Sequence, residues 1–293
     1  MDDSAAALAS AIPLPDESPE ACVARIGGMA AARRVSFGDG EMVWRVWGEG
    51  RPVVFLHGGY GGWTHWIRNV VPLSRHIQVI AGDLPGHGES DAIAGRPTRE
   101  RMAEILARCL EGALPKDGAY DLVGFSMGAN LSAAAIAAYG RDPENLVVVG
   151  PGGLGVMSQK IHGLEKWRPD LPRAELDARH RNNLSVIMLH DASRVDDLAV
   201  HVQRENGLRM RYHVKRSGAT TLLRDYLPKV GAKLSCIWGE YDVYVIGNRE
   251  ERIAVMRESH PGLRVSMIAD AGHWVMYERP AAFDAALLDL LCG

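Results

Sequence analysis

The stretch Tyr120-Asp121-Leu122-Val123-Gly124-Phe125-Ser126-Met127-Gly128, continued by the alanine-rich run Ala129 to Tyr139, constrains the fold more than any other part of the chain. It reads as an apolar strand that turns through Gly-x-Ser-x-Gly directly into a helix. The turn needs glycine on both sides of the serine, because a Cβ there would collide with the neighbouring strand and helix. Its strained backbone pushes the serine Oγ out above the sheet, as a covalent catalyst requires. Gly-x-Ser-x-Gly alone is a weak signal, since turns use both residue types freely. The strand before it and the helix former after it make Ser126 a candidate nucleophile.

A serine hydroxyl needs a base, an acid that orients the base, and donors for an oxyanion. His273 follows the strand-like Leu263 to Ile268 and precedes the helix-like Pro280 to Leu291, so it falls on a loop that reaches over a sheet edge. Imidazole, with an unperturbed pKa of about 6.5, takes and returns a proton near neutrality. Asp242, just past the apolar run Leu234 to Trp238, is the expected acid. Its rivals are Glu240, close to the strand end, and Asp270, which reads as a turn residue. The oxyanion donors are expected to be the amides of Met127 and Gly59, the latter in the loop His57 to Gly62 after the short strand signal Val53 to Leu56. Gly58 is a close alternative to Gly59, and His57 reads as a structural histidine of that loop.

Strand signals fall at Val35 to Phe37, Met42 to Trp47, Val53 to Leu56, Ile77 to Ala81, Leu122 to Phe125, Leu146 to Val149, Leu234 to Trp238 and Leu263 to Ile268. Strands alternating with helices imply a mainly parallel eight-stranded sheet with helices on both faces. After Val149 to Gly153 a long, charged, helix-rich interruption includes Arg173 to Leu189 and Ser193 to Arg209, where an inserted helical lid is expected. The expected organisation is an N-terminal extension (1–34), a first part of the core (35–152), the lid (153–223) and a second part of the core (224–293). Glu20 to Arg34 has a helical composition and is expected to pack on the lid, to meet a partner subunit as in a homodimer, or to hang as a loose tail.

The 293 residues, 47% hydrophobic and 24% charged, suit one catalytic domain with an insertion. A formal charge of −3 without basic clusters predicts no nucleic-acid partner. No apolar run reaches the roughly eighteen residues of a membrane span. Cys22, Cys109, Cys236 and Cys292 lack paired spacing, and from the acidic Met1-Asp2-Asp3-Ser4 no signal peptide is expected. Free thiols in a cytoplasmic protein are expected. Neither a P-loop, a dinucleotide fingerprint nor a metal-ligand cluster is visible, so no cofactor and no metal are expected.

His57-Gly58-Gly59, Asp83-Leu84-Pro85-Gly86-His87-Gly88-Glu89-Ser90, Gly124 to Gly128, Gly239 to Asp242 and Gly272-His273 together resemble, in order, the signatures of the α/β-hydrolase fold superfamily. The resemblance runs from about Arg34 to the C-terminus. It implies an α/β-hydrolase fold, a Ser126–Asp242–His273 triad and a structural role for the loop holding His87. Gly62 to Asn69, the pattern from Asn183 to Arg204, and Gly272-His273-Trp274 are similar to the carbon–carbon bond hydrolases that cleave meta-cleavage products. The chain departs from these enzymes at Phe125 and Ala129, where they usually carry asparagine and glycine, and lacks the Gly-Pro-Gly of their oxyanion loop. Arg204 resembles their cap arginine, which greets a substrate carboxylate.

Substrate contacts are expected from Trp63, Trp66, Asn69, Arg204 and Trp274, with Trp167, Met157, Met188, His65 and Asn183 as further candidates. The expected partner is a small-molecule substrate. Hydrolysis of a carboxylic ester or lactone, hydrolysis of a carbon–carbon bond, and ligand sensing without rapid turnover all fit this sequence.

Overall fold

The alternation of strand and helix signals becomes one sheet in a computed structural model that describes residues 12–95, 97–211 and 220–292. Its strands are β1 (Ala31–Ser36), β2 (Glu41–Trp47), β3 (Pro52–Leu56), β4 (Gln78–Gly82), β5 (Asp121–Phe125), β6 (Asn145–Val149), β7 (Lys233–Gly239) and β8 (Arg264–Ile268). They lie in the order β1-β2-β4-β3-β5-β6-β7-β8. β2 pairs antiparallel with β1 and β4, and every other pairing is parallel. β5 and β6 are buried at every position, as strands covered on both faces must be.

The helices are α1 (Pro19–Gly28), α2 (Val70–Leu73), α3 (Arg99–Ala113), α4 (Met127–Tyr139), α5 (Arg173–Ile187), α6 (Asp197–Arg209), α7 (Leu222–Tyr226), α8 (Arg249–Ser259), α9 (Val275–Glu278) and α10 (Pro280–Cys292). One face of the sheet packs on α3, α4, α7 and α8 through residues such as Leu106, Leu110, Ile136 and Met256. The other packs on α1, α10 and the segment around Trp66, through Ile26, Phe55, Trp66 and Phe283. Between β6 and β7 the chain leaves the sheet to form α5 and α6, the expected insertion.

Two boundaries differ from the sequence reading. β1 begins at Ala31, not Val35, because its backbone pairs with β2 from Ala31 opposite Val46 onward while its side chains stay largely exposed. Edge pairing, not apolar content, makes this strand. The stretch Ser193 to Arg209 also splits: Asp191 accepts the Ser193 amide at a short 3-10 turn, and Asp196 caps α6 by accepting the Ala199 amide at 2.9 Å. α1 begins where the Ser18 hydroxyl accepts the Ala21 amide and Pro19 opens the first turn. It buries Cys22 and Ile26, the Trp47 indole donates to the Ile26 carbonyl at 3.0 Å, and Glu20 meets Arg173 and His201 of the insertion. Within the chain, α1 thus packs on the sheet face and reaches the insertion.

Candidate active site

β3 leads to β4 on one side and the chain returns to β5 on the other, so a crevice opens at the carboxyl edge between β3 and β5. The serine turn lies there. Ser126 has φ 50° and ψ −103°, a backbone state that costs a non-glycine residue about 1–3 kcal/mol and persists only when its surroundings impose it. They do so on both sides. A Cβ on Gly124 would lie 2.7 Å from the Ala129 backbone, and one on Gly128 would lie 2.4 Å from the Leu56 carbonyl oxygen. The Ser126 amide donates to the Val149 carbonyl at 2.8 Å, which pins the turn to the end of β6.

Asp242 follows β7 and is fully buried, as is most of His273 after β8. The His273 Nδ1–H donates to Asp242 Oδ2 at 2.7 Å, and Asp242 Oδ1 accepts the Tyr244 amide at 3.0 Å. This selects the tautomer: with Nδ1 committed as donor, the neutral ring keeps its lone pair on Nε2. The rivals point elsewhere. Glu240 accepts the Asp270 amide at 3.2 Å, and Asp270 sits in a turn with φ 51°. Gly150, at φ 52° after β6, leaves the space that the pair occupies, since a Cβ would stand 2.8 Å from His273 Cε1 and 3.2 Å from Asp242 Oδ2.

His273 is also tied to the insertion on both sides. The Trp274 amide donates to the Met188 carbonyl at 2.7 Å. The buried Glu278 carboxylate accepts amides from Gly272 at 2.7 Å, His190 at 3.0 Å and Asp191 at 2.7 Å.

Ser126, His273, Gly59 and Met127 line one cavity of about 660 Å³. The loop after β3 brings its backbone close, with a Gly58 Cβ position 3.3 Å from Ser126 Cβ. The Gly58 amide, however, is spent on His65 Nδ1 at 3.3 Å. A Cβ on Gly59 would meet nothing within 4 Å. His57 donates from Nδ1 to the Gly58 carbonyl at 2.7 Å and accepts the Leu84 amide at 2.8 Å, and burial holds it near pKa 4. His87 and His180 line the cavity too, and burial lowers them to about 3 and about 4, so both are neutral near pH 7. Among the described residues no group of three or more His, Cys, Asp or Glu side chains is placed to hold a metal ion.

The five residues expected to contact substrate do not line this cavity. Trp63 gives its amide to Asp83 and packs its ring 5.2 Å from Trp47. Trp66 lies in the core, 5.1 Å from the Phe55 ring and 6.1 Å from that of Phe283. Asn69 is buried and donates to Asp284 at 2.8 Å. Trp274 donates from its indole to the His65 carbonyl at 2.8 Å and stacks on Tyr277. Arg204 is consumed by Asp177, Glu205 and His201, so it does not stand as a cap arginine. Trp167, Met157, Met188 and Asn183 do line the cavity. With them are residues that sequence reasoning did not select: Tyr244, whose ring lies 4.6 Å from that of His273, together with Tyr60, Arg99 and His180. The spacing of Tyr244, two residues past Asp242, was the one available signal for it.

A serine in an imposed strained turn, facing the same cavity as an aspartate-held histidine at the carboxyl edge of a doubly covered parallel sheet, defines a hydrolase of the α/β class. The chain belongs to the alpha/beta hydrolase family, whose profile matches residues 53–286. The 2-hydroxy-6-oxo-6-phenylhexa-2,4-dienoate hydrolase of Burkholderia cepacia is 28% identical over 264 residues, covering 84% of this chain and 89% of the relative. Among solved structures, naproxen esterase of Bacillus subtilis superposes with a TM-score of 0.72 at 15% identity, covering 93% of this chain and 96% of its own. The meta-cleavage product hydrolase of Pseudomonas fluorescens IP01 gives 0.71 at 19% identity, covering 88% and 97%. These two likenesses speak to the fold. Among the described residues no helix is long and apolar enough to cross a membrane.

Proposed function

We propose that the chain is a serine hydrolase that cleaves a small-molecule carboxylic ester or lactone through an acyl-enzyme. The observation that carries this reading is the 2.7 Å Asp242–His273 bond on the cavity that Ser126 also lines. Ser126 Oγ attacks the carbonyl carbon as His273 Nε2 takes the hydroxyl proton, and the Met127 and Gly59 amides receive the developing oxyanion. When the C–O bond breaks, His273 returns the proton to the departing alkoxide. Water, deprotonated by His273, then attacks the acyl carbon and Ser126 leaves with the proton. Commitment of the Gly58 amide to His65 favours Gly59 as the second donor. The insertion acts as a lid and supplies the apolar wall of Trp167, Ile187 and Met188.

A second reading, hydrolysis of a carbon–carbon bond in a diketone acid, draws support from the dienoate hydrolase at 28% identity. The withdrawal of Arg204 into ion pairs and the lack of Gly-Pro-Gly in the oxyanion loop weigh against it. Four free cysteines, three of them buried, are in keeping with a cytoplasmic location.

The test is fluorophosphonate labelling of wild type and Ser126→Ala, with turnover of an ester panel beside a vinylogous diketone acid. Labelling should vanish in the variant and ester turnover should fall by about 10⁴-fold or more. Full ester turnover by Ser126→Ala refutes the mechanism. Faster cleavage of the diketone acid than of any ester establishes the second reading, and labelling without turnover of either would point to a sensor.

A further inference from the structure

The charges around the cavity are unequally committed. Glu165 is the only acidic residue among the described lining residues, and the two arginines are Arg99 and Arg252. Arg252 is saturated: it donates to Asn248 at 2.7 Å, to the Val156 and Tyr244 carbonyls and Ser158 Oγ at 3.1 Å each, and to the Pro151 carbonyl at 3.4 Å. Arg99, at the start of α3, is not. Its Nε is buried without an acceptor, and among the described residues no hydrogen bond or ion pair reaches its guanidinium. Burial pulls it below the ordinary arginine value, with only the neighbouring Glu100 acting in the opposite sense. A guanidinium does not shed its proton in a protein, so an unpaired one kept half-buried carries a cost that an arriving anion relieves. The start of α3 offers no rival use, because the Thr98 hydroxyl already caps it by accepting the Arg101 amide at 3.1 Å.

We propose that Arg99 is the specificity anchor of this cavity and binds a carboxylate carried by the substrate, so that the preferred ester, lactone or ketone is a monoanion. This rests on the assignment of the cavity to the hydrolase site. A carboxylate matches the planar fork of one guanidinium with two parallel bonds. A phosphate dianion would call for a second cation, and Arg252 is already committed.

The binding test uses Ser126→Ala, so that the probe survives, and compares it by calorimetry with Ser126→Ala/Arg99→Gln and Ser126→Ala/Arg99→Lys. The probe is monomethyl glutarate. Loss of a charge-assisted pair should raise its Kd by about tenfold to a hundredfold in the glutamine variant. The lysine variant, which keeps the charge and loses the fork, should fall between. Equal Kd values across the three proteins, or no binding of monomethyl glutarate to Ser126→Ala, overturn the proposal. In parallel, the ratio of kcat/KM for 4-nitrophenyl hydrogen glutarate to that for 4-nitrophenyl pentanoate should drop at least about tenfold in Arg99→Gln. An unchanged ratio overturns it equally. Ester turnover persisting in Ser126→Ala would remove the serine mechanism while leaving the calorimetric result on Arg99 standing.

Discussion

Replacement of Gly150 by alanine isolates how much the Asp242–His273 geometry contributes. Two effects are built into the position. The residue sits at φ 52°, where a Cβ costs about 1–2 kcal/mol of backbone strain. The Cβ would also stand 2.8 Å and 2.9 Å from two ring atoms of His273 and 3.2 Å from Asp242 Oδ2. Non-bonded carbons settle at about 3.5–4.0 Å, so the imidazole must move by the better part of an ångström. It cannot do so freely, because Asp242 holds it on one side and the Gly272 and Trp274 amides are anchored on the other. A misplacement of about 1 Å costs on the order of 10² in rate, and loss of the aspartate's hold about 10⁴. We expect kcat/KM for a good ester to fall between these limits, with a loss of about 2–4 °C in Tm from strain.

Gly140 provides the comparison. It ends α4 at φ 74°, and a Cβ there would meet nothing within 4 Å. Gly140→Ala carries the strain without the collision and should match the Tm loss while keeping kcat/KM within about twofold. Steady-state kinetics and thermal melts of the two variants decide the matter. Gly150→Ala with kcat/KM near the wild-type value would refute the reasoning, since it would mean that the imidazole position is not set by this contact or does not matter.

Three further substitutions probe the frame of the site. Burial pushes the Asp284 carboxyl up to about 7, against the hydrogen bond from Asn69 that lowers it. The folded state then holds a proton that the unfolded state loses near pH 3.8, so stability falls as pH rises from about 4 to about 7 and stays low above that. Asp284→Asn keeps the bond to Asn69 and should stabilise the protein at pH 8 by up to about 4 kcal/mol, roughly half that after solvent screening. The gain should shrink by more than half at pH 5, and a gain independent of pH in urea melts would contradict it. Glu278→Gln puts an NH₂ group against one of three amide donors and should cost about 2–3 kcal/mol, with a lowered kcat because Gly272 adjoins His273; unchanged melting would remove Glu278 as the anchor. Trp66→Phe should lose about 1–2 kcal/mol from the core and leave KM for small esters alone, since Trp66 lies outside the cavity; a large KM change would restore it as a substrate contact.

The placement of Ser126, Asp242 and His273 was more legible in the sequence than the lining of the cavity, for a physical reason. Ser126, Asp242 and His273 each follow a strand by one to five residues, and the parallel sheet sends all those strand ends to one edge. Strand signals therefore carry loop residues into one place without knowledge of distant contacts. Gly150 belongs to the same logic, but its reason, a collision with a histidine over a hundred residues away, exists only in three dimensions.

Trp63, Trp66 and Asn69 failed that logic because they lie on a 3-10 turn and the coil after it, where no period of two or 3.6 separates an inward face from a cavity face. Arg204 failed for another reason: besides the adjacent Glu205, its acids Asp177 and Glu20 come from α5 and α1, and only the folding of the insertion and the N-terminal helix makes them partners. Arg99 is the converse. Nothing local distinguishes it from its neighbours Arg101 and Arg108, yet Arg101 pairs with Glu104 while Arg99 lines the cavity and, among the described residues, forms no ion pair, not even with the adjacent Glu100. An unpaired charge is a property of the whole structure, because every acidic residue must be shown to lie elsewhere. For that reason substrate choice in such a fold is read from which polar groups the folded chain leaves uncommitted, and reaction class from which ones the sheet edge brings together.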